Sequence, residues 1–291
     1  HLSSLRGAQL RQQGSSFSRT FSRVELRNVN IMNRQEEVME SYRRDFDSKA
    51  YKEVLETIKP VYIFEQKHLH DIFDVLSVSG CKLLDVGCGP TVHNVFSAAR
   101  RMNDIVLSDF LPANRLEVEK WIQKVPDAID WSHISESLAC LEGHTDIKSG
   151  AKDIEERTRR AIKKVIPCNV LDPRVLPEEH REMFDVVLCS HCLEAACADE
   201  SSFQKAMQNI GNLVVRGGHL ILGIIAGSHE YEVGGITLPS LALSDTMVKD
   251  ALAKAGFEIK RWNTLGKNDT PEAAKIWQCW ESSFVILTRK L

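Results

Sequence analysis

The chain has 291 residues, 43% of them hydrophobic and 26% charged, enough for one sizeable core or two small ones. A formal net charge of −3 offers nothing to nucleic-acid phosphates, so nucleic acid is not expected as a partner. The longest apolar stretch, Leu220 to Ala226, is far too short to span a bilayer, so no membrane association is expected either.

In chain order, His1 to Val24 is rich in arginine and serine and has no acid. It reads as a disordered tail, as part of an organelle transit peptide, or as an extension upstream of a usual start at Met32. Because the first residue is histidine, the native N-terminus is expected to be missing or processed. The folded part is expected to begin near Arg34, which gives a tail over 1–33 and one domain over 34–291.

Gln35 to Asp47, Ala50 to Ile58 and Val61 to Leu76 read as helices. The last has apolar residues at Ile63, Leu69, Ile72, Phe73 and Leu76 in a helical period. Together they are expected to form a helical lid in front of a sheet. Lys82 to Val86 reads as a first strand, Val92 to Met102 as a helix, Asp104 to Ser108 as a second strand, and Asn114 to Lys124 as a helix. Asp153 to Lys164 reads as a charged helix inserted on the surface. Val165 to Leu171 and the continuous apolar run Phe184 to Cys189 read as the third and fourth strands, the latter buried on both faces.

Ser202 to Val214 reads as a helix closed by a glycine cap at Arg216-Gly217-Gly218. His219 to Ile225 reads as a fifth strand. Glu230 to Thr237 reads as a hairpin around Gly234-Gly235, and Ser244 to Ala255 as a helix with Ser244 as its N-cap. Phe257 to Asn263 and Ser283 to Thr288 complete the strands. Alternating strands and helices imply an α/β fold with a mostly parallel sheet and helices on both faces.

Eight cysteines sit mostly in or beside apolar runs, which favours reduced thiols over a disulfide scaffold. Cys189 and Cys192 have C-x-x-C spacing, but strand alternation is expected to point them to opposite faces.

The run Leu83-Leu84-Asp85-Val86-Gly87-Cys88-Gly89-Pro90, with Asp109 ending the next apolar run, has the layout of an adenosine-cofactor site. Glycines let the backbone approach a ligand closely, and a later carboxylate can accept from ribose hydroxyls. Asp109 could instead be a bare carboxylate at a strand end, but the upstream loop favours ribose binding. The dinucleotide fingerprint wants a third glycine where Val92 stands, and no G-K-[ST] follows the loop. Neither a diphosphate nor a P-loop nucleotide is favoured. A phosphate-free adenosine cofactor, S-adenosylmethionine, fits better.

These segments carry a resemblance. Asp85-Val-Gly-Cys-Gly-Pro-Thr91, Ser108-Asp109-Phe, Glu119-Lys-Trp121, Asp130-Trp131 and Cys192-Leu-Glu-Ala-Ala-Cys197 with Asp199 resemble the small-molecule amine N-methyltransferases acting on nicotinamide, phenylethanolamine and indolethylamine. The resemblance spans about Asp45 to Leu291. It implies a Rossmann-like class I methyltransferase sheet, mostly parallel, with an N-terminal helical lid and S-adenosylmethionine as cofactor.

By the same resemblance, Gly87 and Cys88 pass under the methionine part of the cofactor, Asp109 binds the ribose, and Asn114 neighbours it. Phe110, Asn169 and Val170 flank the adenine. Ser190, Tyr51 and His93 lie near the cofactor, His93 standing where the family often has tyrosine. Trp121 and Trp131 are expected to be core residues. Glu194 matches the acid of the family's L-[DE]-A-A-C segment and is the candidate catalytic carboxylate. Its alternative is a solvated loop charge. His191, Tyr231 and Ser240 match substrate-side positions, His191 replacing a usually apolar residue.

The relatives' acid after the fifth strand is matched by Ile224, and the lid tyrosines around Leu55-Glu56 are missing. A donor that needed that acid would lose about 1–3 kcal/mol, which weighs against nicotinamide- and catecholamine-type acceptors. The expected protein is a cytoplasmic, monomeric N-methyltransferase of a small amine or pyridine-type nitrogen, with no metal. Its rivals are a catalytically weakened cofactor-binding homologue and a nicotinamide-dependent oxidoreductase. The latter is opposed by Val92 and by the lack of a Tyr-x-x-x-Lys pair.

Overall fold

The computed structural model describes residues 23–77, 80–267 and 280–291, with side chains from Arg34 onward. Cys279 and the first 22 residues, which carry most of the expected tail, lie outside the described residues.

Three helices come first: α1 (Arg23–Asp45), α2 (Tyr51–Thr57) and α3 (Lys59–Val75). Helix α1 starts well upstream of Arg34, inside the segment read as tail. Pro60 sits in the first turn of α3, where its missing N–H costs nothing. The sheet then begins with β1 (Lys82–Val86). Two short 3-10 turns, His93–Val95 and Ala98–Arg100, stand where a full α-helix was expected.

The chain continues through β2 (Asp104–Asp109), α4 (Pro112–Ile122), α5 (Ser132–Leu141), α6 (Ile147–Ala161), β3 (Ile162–Pro167), β4 (Phe184–Ser190), α7 (Leu193–Ala196) and α8 (Glu200–Gly211). It ends with β5 (Val214–Ala226), β6 (Glu230–Val233), β7 (Ile236–Pro239), α9 (Asp245–Lys254), β8 (Phe257–Gly266) and β9 (Ser282–Lys290).

Seven strands form one sheet in the order β3-β2-β1-β4-β5-β9-β8, parallel except for β9, which runs antiparallel to both β5 and β8. The chain leaves β1 toward β2 and β3 and then returns to the other side of β1 as β4. The carboxyl ends of β1 and β4 therefore flank a switch point, where open α/β sheets bind ligands.

Alternation assigns side chains to two core layers. Leu83, Leu107 and Ile221 pack with α3 to α6, while Leu84, Val106 and Leu222 pack with α8 and α9. The hairpin β6–β7 turns on Gly234 and Gly235, φ 58° and 79°, as a type I′ turn requires. Ser244 caps α9 by accepting the Met247 N–H.

Three expectations need correction. The charged segment read as a surface insertion is α6, a core helix shifted toward the N-terminus, with Ile154 and Ala151 buried and its charges on the outer face. Its Arg159 guanidinium lies 3.9 Å from the Trp121 ring centroid. The strand read as Val165 to Leu171 is β3, ending at Pro167. Gly217-Gly218 does not cap α8 but lies within β5, where the register against β4 shifts.

Candidate functional site

Strand β1 delivers the chain into the glycine loop. Gly87 and Gly89 have φ of 70° and 64°, a left-handed conformation that favours glycine. The Gly87 and Cys88 N–H groups donate to the Ser108 carbonyl at 2.8 and 2.9 Å, stitching the loop to β2. A Cβ on Gly87 would lie 2.2 Å from Cys192 Sγ. Glycine is therefore demanded there by the protein's own packing.

Asp109 ends β2 and is 6% exposed. Its Oδ2 accepts the Gly89 N–H at 2.8 Å, and its Oδ1 accepts the Leu111 N–H at 2.8 Å and Asn114 Nδ2 at 3.0 Å. Asn114 Oδ1 in turn accepts the Ser48 hydroxyl at 2.6 Å. A continuous hydrogen-bonded chain thus runs from the linker between α1 and α2, through Asn114 and Asp109, to the glycine loop. Burial raises the Asp109 carboxyl above its ordinary range, and these hydrogen bonds oppose the rise. Asp85, on β1 behind the loop, has no partner for either oxygen, and burial with the nearby Asp109 pushes it up to about 8.

An open-mouthed cleft lies over these residues. The structure brings every expected cofactor residue to its walls: Tyr51, Gly87, Cys88, His93, Asp109, Phe110, Asn114, Asn169, Val170 and Ser190. At one end Phe110 is covered by the Arg43 guanidinium at 4.7 Å. Asn169 spends one acceptor position on the Leu171 N–H, and the Val170 carbonyl accepts Asn209 Nδ2. His93 is buried beside Trp131, and burial lowers its imidazole to about 3, so it is neutral near pH 7 with Nδ1 unpartnered. Trp121 and Trp131 are buried core residues, as expected.

The lid contributes more than the sequence suggested. Tyr42 of α1 and Phe46 just after it join Tyr51 and Tyr231 in an aromatic wall, with successive ring centroids 5.5–6.4 Å apart. The Tyr42 hydroxyl donates to the Pro239 carbonyl at 2.7 Å, tying α1 to the hairpin. Gln35 donates from Nε2 to the Ala196 carbonyl and accepts the Ala198 N–H, tying α1 to α7. Tyr42 and Gln35 lie in a charged stretch with no local signature, and their partners are over 160 residues away.

A smaller chamber adjoins the cleft and shares Tyr51, His191 and Tyr231 with it; Glu194 and Ser240 complete its expected residues. Glu194 is buried at 4% exposure; Oε1 accepts the Ile225 N–H at 2.9 Å, and Oε2 has no partner. It is therefore not a solvated loop charge. Ile224 does not face this chamber. It packs in the α8–α9 layer, and the neighbour whose side chain lines the chamber is Ile225. The opposite faces of a strand explain the correction.

His191 follows β4 with φ 54°, unusual for a non-glycine residue, and its N–H donates to the Gly223 carbonyl at 2.9 Å. This reversal overturns the expectation for the C-x-x-C pair. Cys189 and Cys192 do share a face, both packing in the α8–α9 layer, because the strand ends between them. The seven described cysteines are all free, and among the described residues no His/Cys/Asp/Glu group has metal-holding geometry.

The cleft's character can be tested against the expected ligand. Among its described lining residues there is no lysine or arginine, and the one carboxylate is Asp109, beside the thiols of Cys88, Cys168 and Cys192 and the phenols of Tyr42, Tyr51 and Tyr231. A diphosphate would lie against Asp109 and meet neither lysine nor arginine among those lining residues. A cationic sulfonium attached to a nucleoside meets Asp109 and, next door, Glu194. The residues present fit the second kind of ligand.

Comparison with known proteins agrees with this geometry. The profile described as the NNMT/PNMT/TEMT family matches residues 32–290. Human nicotinamide N-methyltransferase is 33% identical over 225 residues, 77% of this chain and 83% of the relative. Human phenylethanolamine N-methyltransferase is 33% identical over 198 residues, 67% and 69% of the two chains. Among solved structures, magnesium protoporphyrin IX methyltransferase from Synechocystis PCC 6803, crystallised with S-adenosylmethionine, superposes with a TM-score of 0.55 at 11% identity. That match covers 89% of this chain and 97% of the other, a likeness of fold.

Proposed function

The chain belongs to the NNMT/PNMT/TEMT family, and on that premise we propose how its cleft works. It is an S-adenosylmethionine-dependent N-methyltransferase of the class I Rossmann-like fold, acting on small amines. The observation that carries the site assignment is the meeting of all the expected residues in one cleft and its adjoining chamber, at the switch point of the sheet.

In this reading Asp109 and Asn114 hold the ribose, and Phe110, Asn169 and Val170 hold the adenine. Gly87, Cys88, His93, Ser190 and Tyr51 surround the methionine portion. When bound, the cofactor supplies a methyl carbon activated by its sulfonium. The protein's part is to place the acceptor nitrogen and keep water out. Good orientation alone is worth up to about 7–11 kcal/mol in the best intramolecular cases. The wall of Tyr42, Phe46, Tyr51 and Tyr231 screens one side of the cleft from solvent. Glu194, His191, Tyr231 and Ser240 receive the acceptor in the chamber. Glu194 Oε2, buried and unpartnered, accepts the N–H of the incoming nitrogen and takes the proton that an ammonium must lose before it can attack.

We further place the catalytic unit at 34–291, working as a cytoplasmic monomer on a small-molecule amine or pyridine-type substrate. The net charge of −3 argues against nucleic acid, and no described helix is long and apolar enough to cross a membrane. The test is a panel of amines and pyridines incubated with labelled S-adenosylmethionine and read by mass, alongside calorimetry with the cofactor. Binding with methyl gain on a nitrogen is expected. Binding without methyl gain across the panel would leave only the weakened homologue, and no binding would end the assignment of the cleft.

A further inference from the structure

Glu65 belongs to none of the segments that carry the family resemblance, yet from α3 it reaches His191, which lines the chamber. It is 4% exposed, its Oε1 lies 2.7 Å from His191 Nε2, and it accepts the Ser283 hydroxyl at 3.3 Å. On the other side of the same ring, His191 Nδ1 lies 3.5 Å from Glu194 Oε1. One imidazole is thus clamped between two buried carboxylates from different elements. The far oxygen of one of them, Glu194 Oε2, is buried, lacks a partner and belongs to a residue that lines the chamber. The clamp is held at a strained residue, since His191 keeps a left-handed backbone that only the surrounding contacts enforce.

Two carboxylates and one imidazolium sum to a single negative charge. Without Glu65, His191 and Glu194 would cancel. We propose that Glu65 and His191 are positioning residues that set substrate choice: Glu65 neutralises His191 so that the charge of Glu194 stays available to the acceptor, selecting protonated aliphatic amines over neutral pyridine-type nitrogens. This rests on the methyltransferase reading above. Burial works against a charged imidazole, but Glu65 and then Glu194 overcome it and hold His191 up at about 10. The chamber's other titratable lining residues are Tyr51 from α2 and Tyr231 from the hairpin, and His93 lies beyond the loop, none of them charged at neutral pH.

The selection has a chemical side. An alkylammonium must lose a proton: its N–H bond breaks, the electron pair stays on nitrogen, and Glu194 Oε2 takes the proton as a neutral carboxylic acid. A pyridine nitrogen has no such proton and gains nothing from the free oxygen.

The test uses the full chain and labelled S-adenosylmethionine at about pH 6, below the ordinary imidazole pKa. It compares kcat/KM for a primary alkylamine and for a pyridine. Glu65→Gln is expected to lower the amine-to-pyridine ratio by about tenfold or more, the scale of one lost charge contact, with cofactor affinity by calorimetry held. The ratio should recover as pH rises and His191 loses its proton. The double variant Glu65→Gln, His191→Phe returns the wall to one negative charge and should restore the ratio at about pH 6. A purely structural role makes the double variant no better than the single one, and that outcome overturns the proposal. So does a single variant that lowers both acceptor classes equally. If the wild-type chain methylates neither class, the enzyme reading itself falls, and this proposal with it. If it methylates amines but Glu65→Gln leaves the ratio unmoved, only the role of the pair is lost.

Discussion

Asp109 has two tasks on one carboxylate. A carboxylate offers about four acceptor positions, and three are engaged by Gly89, Leu111 and Asn114. The position left open is on Oδ2, the oxygen that faces the glycine loop. A ribose hydroxyl that binds there therefore also senses the loop, and through Asn114 it senses Ser48 and the lid. Asp109→Asn keeps the shape and removes the charge. Charge-assisted hydrogen bonds are worth about 1.5–3 kcal/mol, so S-adenosylmethionine affinity should fall about 10- to 100-fold by calorimetry. Because the Gly89 N–H would then face an uncharged amide or its own like, the melting temperature should fall too. Unchanged affinity would remove the ribose role from Asp109. The acid and the two glycines were legible in the sequence because each answers a local backbone demand. Glu65 and Tyr42 were not, because nothing within a few residues of either marks it, and only the packing of α1 and α3 against the sheet edge gives them partners.

Helix α1 is held shut by few bonds, and this gives the lid a measurable energy. Gln35 makes the two hydrogen bonds to the segment after β4, each worth about 0.5–1.5 kcal/mol. Gln35→Ala should therefore raise local opening of residues 34–45 by about 5- to 150-fold. Hydrogen exchange of those amides should report it, with KM for cofactor and acceptor rising while the global melting temperature changes little. Equal exchange in the two proteins would show that the lid is held elsewhere. Comparable tertiary bonds explain where local patterns failed. Helix α8 was expected to end on glycine, but Lys290 of β9 donates to the Gly211 and Val214 carbonyls and caps it from a distance. The glycines were thereby released to form the bend in β5. The segment after the glycine loop has its apolar residues buried all round, and its N–H groups bond three residues back, giving 3-10 turns. By contrast β1, β4, the β6–β7 hairpin and the Ser244 cap were readable, since alternation, Gly-Gly and an N-cap serine act within their own few residues. Helix α5 was missed altogether: only Ile134, Leu138 and Ala139 mark its buried face, among serines and a histidine, and its N-cap is Trp131, the Ser132 N–H being accepted by Asp130 one position earlier.

For the whole molecule, the buried titratable groups fix how stability depends on pH. His93 is held at about 3 in the folded protein and is ordinary, about 6.5, when unfolded. Between those values the unfolded state binds more protons, so stability rises with pH. Glu142, half-buried against Arg157, is lowered as well and adds to the acid limb. Asp85 has the opposite sign: its folded value of about 8 exceeds the unfolded value of about 3.9, so the folded state binds more protons and stability falls as pH rises between them. His191, at about 10 when folded against about 6.5 unfolded, contributes stability that is full below the unfolded value and lost as pH climbs through the folded one. Below about pH 6.5 the His93 and Asp85 slopes oppose each other; above it Asp85 and His191 act together. The melting temperature should therefore peak in mildly acidic buffer and fall steeply toward pH 9. Asp85→Asn, which cannot ionise, should exceed the wild type by a margin that grows from about pH 4 to about pH 8 and then holds, flattening the first part of the fall. His191→Phe should instead flatten the part nearest pH 10. Scanning calorimetry of the three proteins across that range checks both assignments. A wild-type curve that rises with pH through this window would mean that Asp85 is ionised inside the fold, its charge met by donors within the protein.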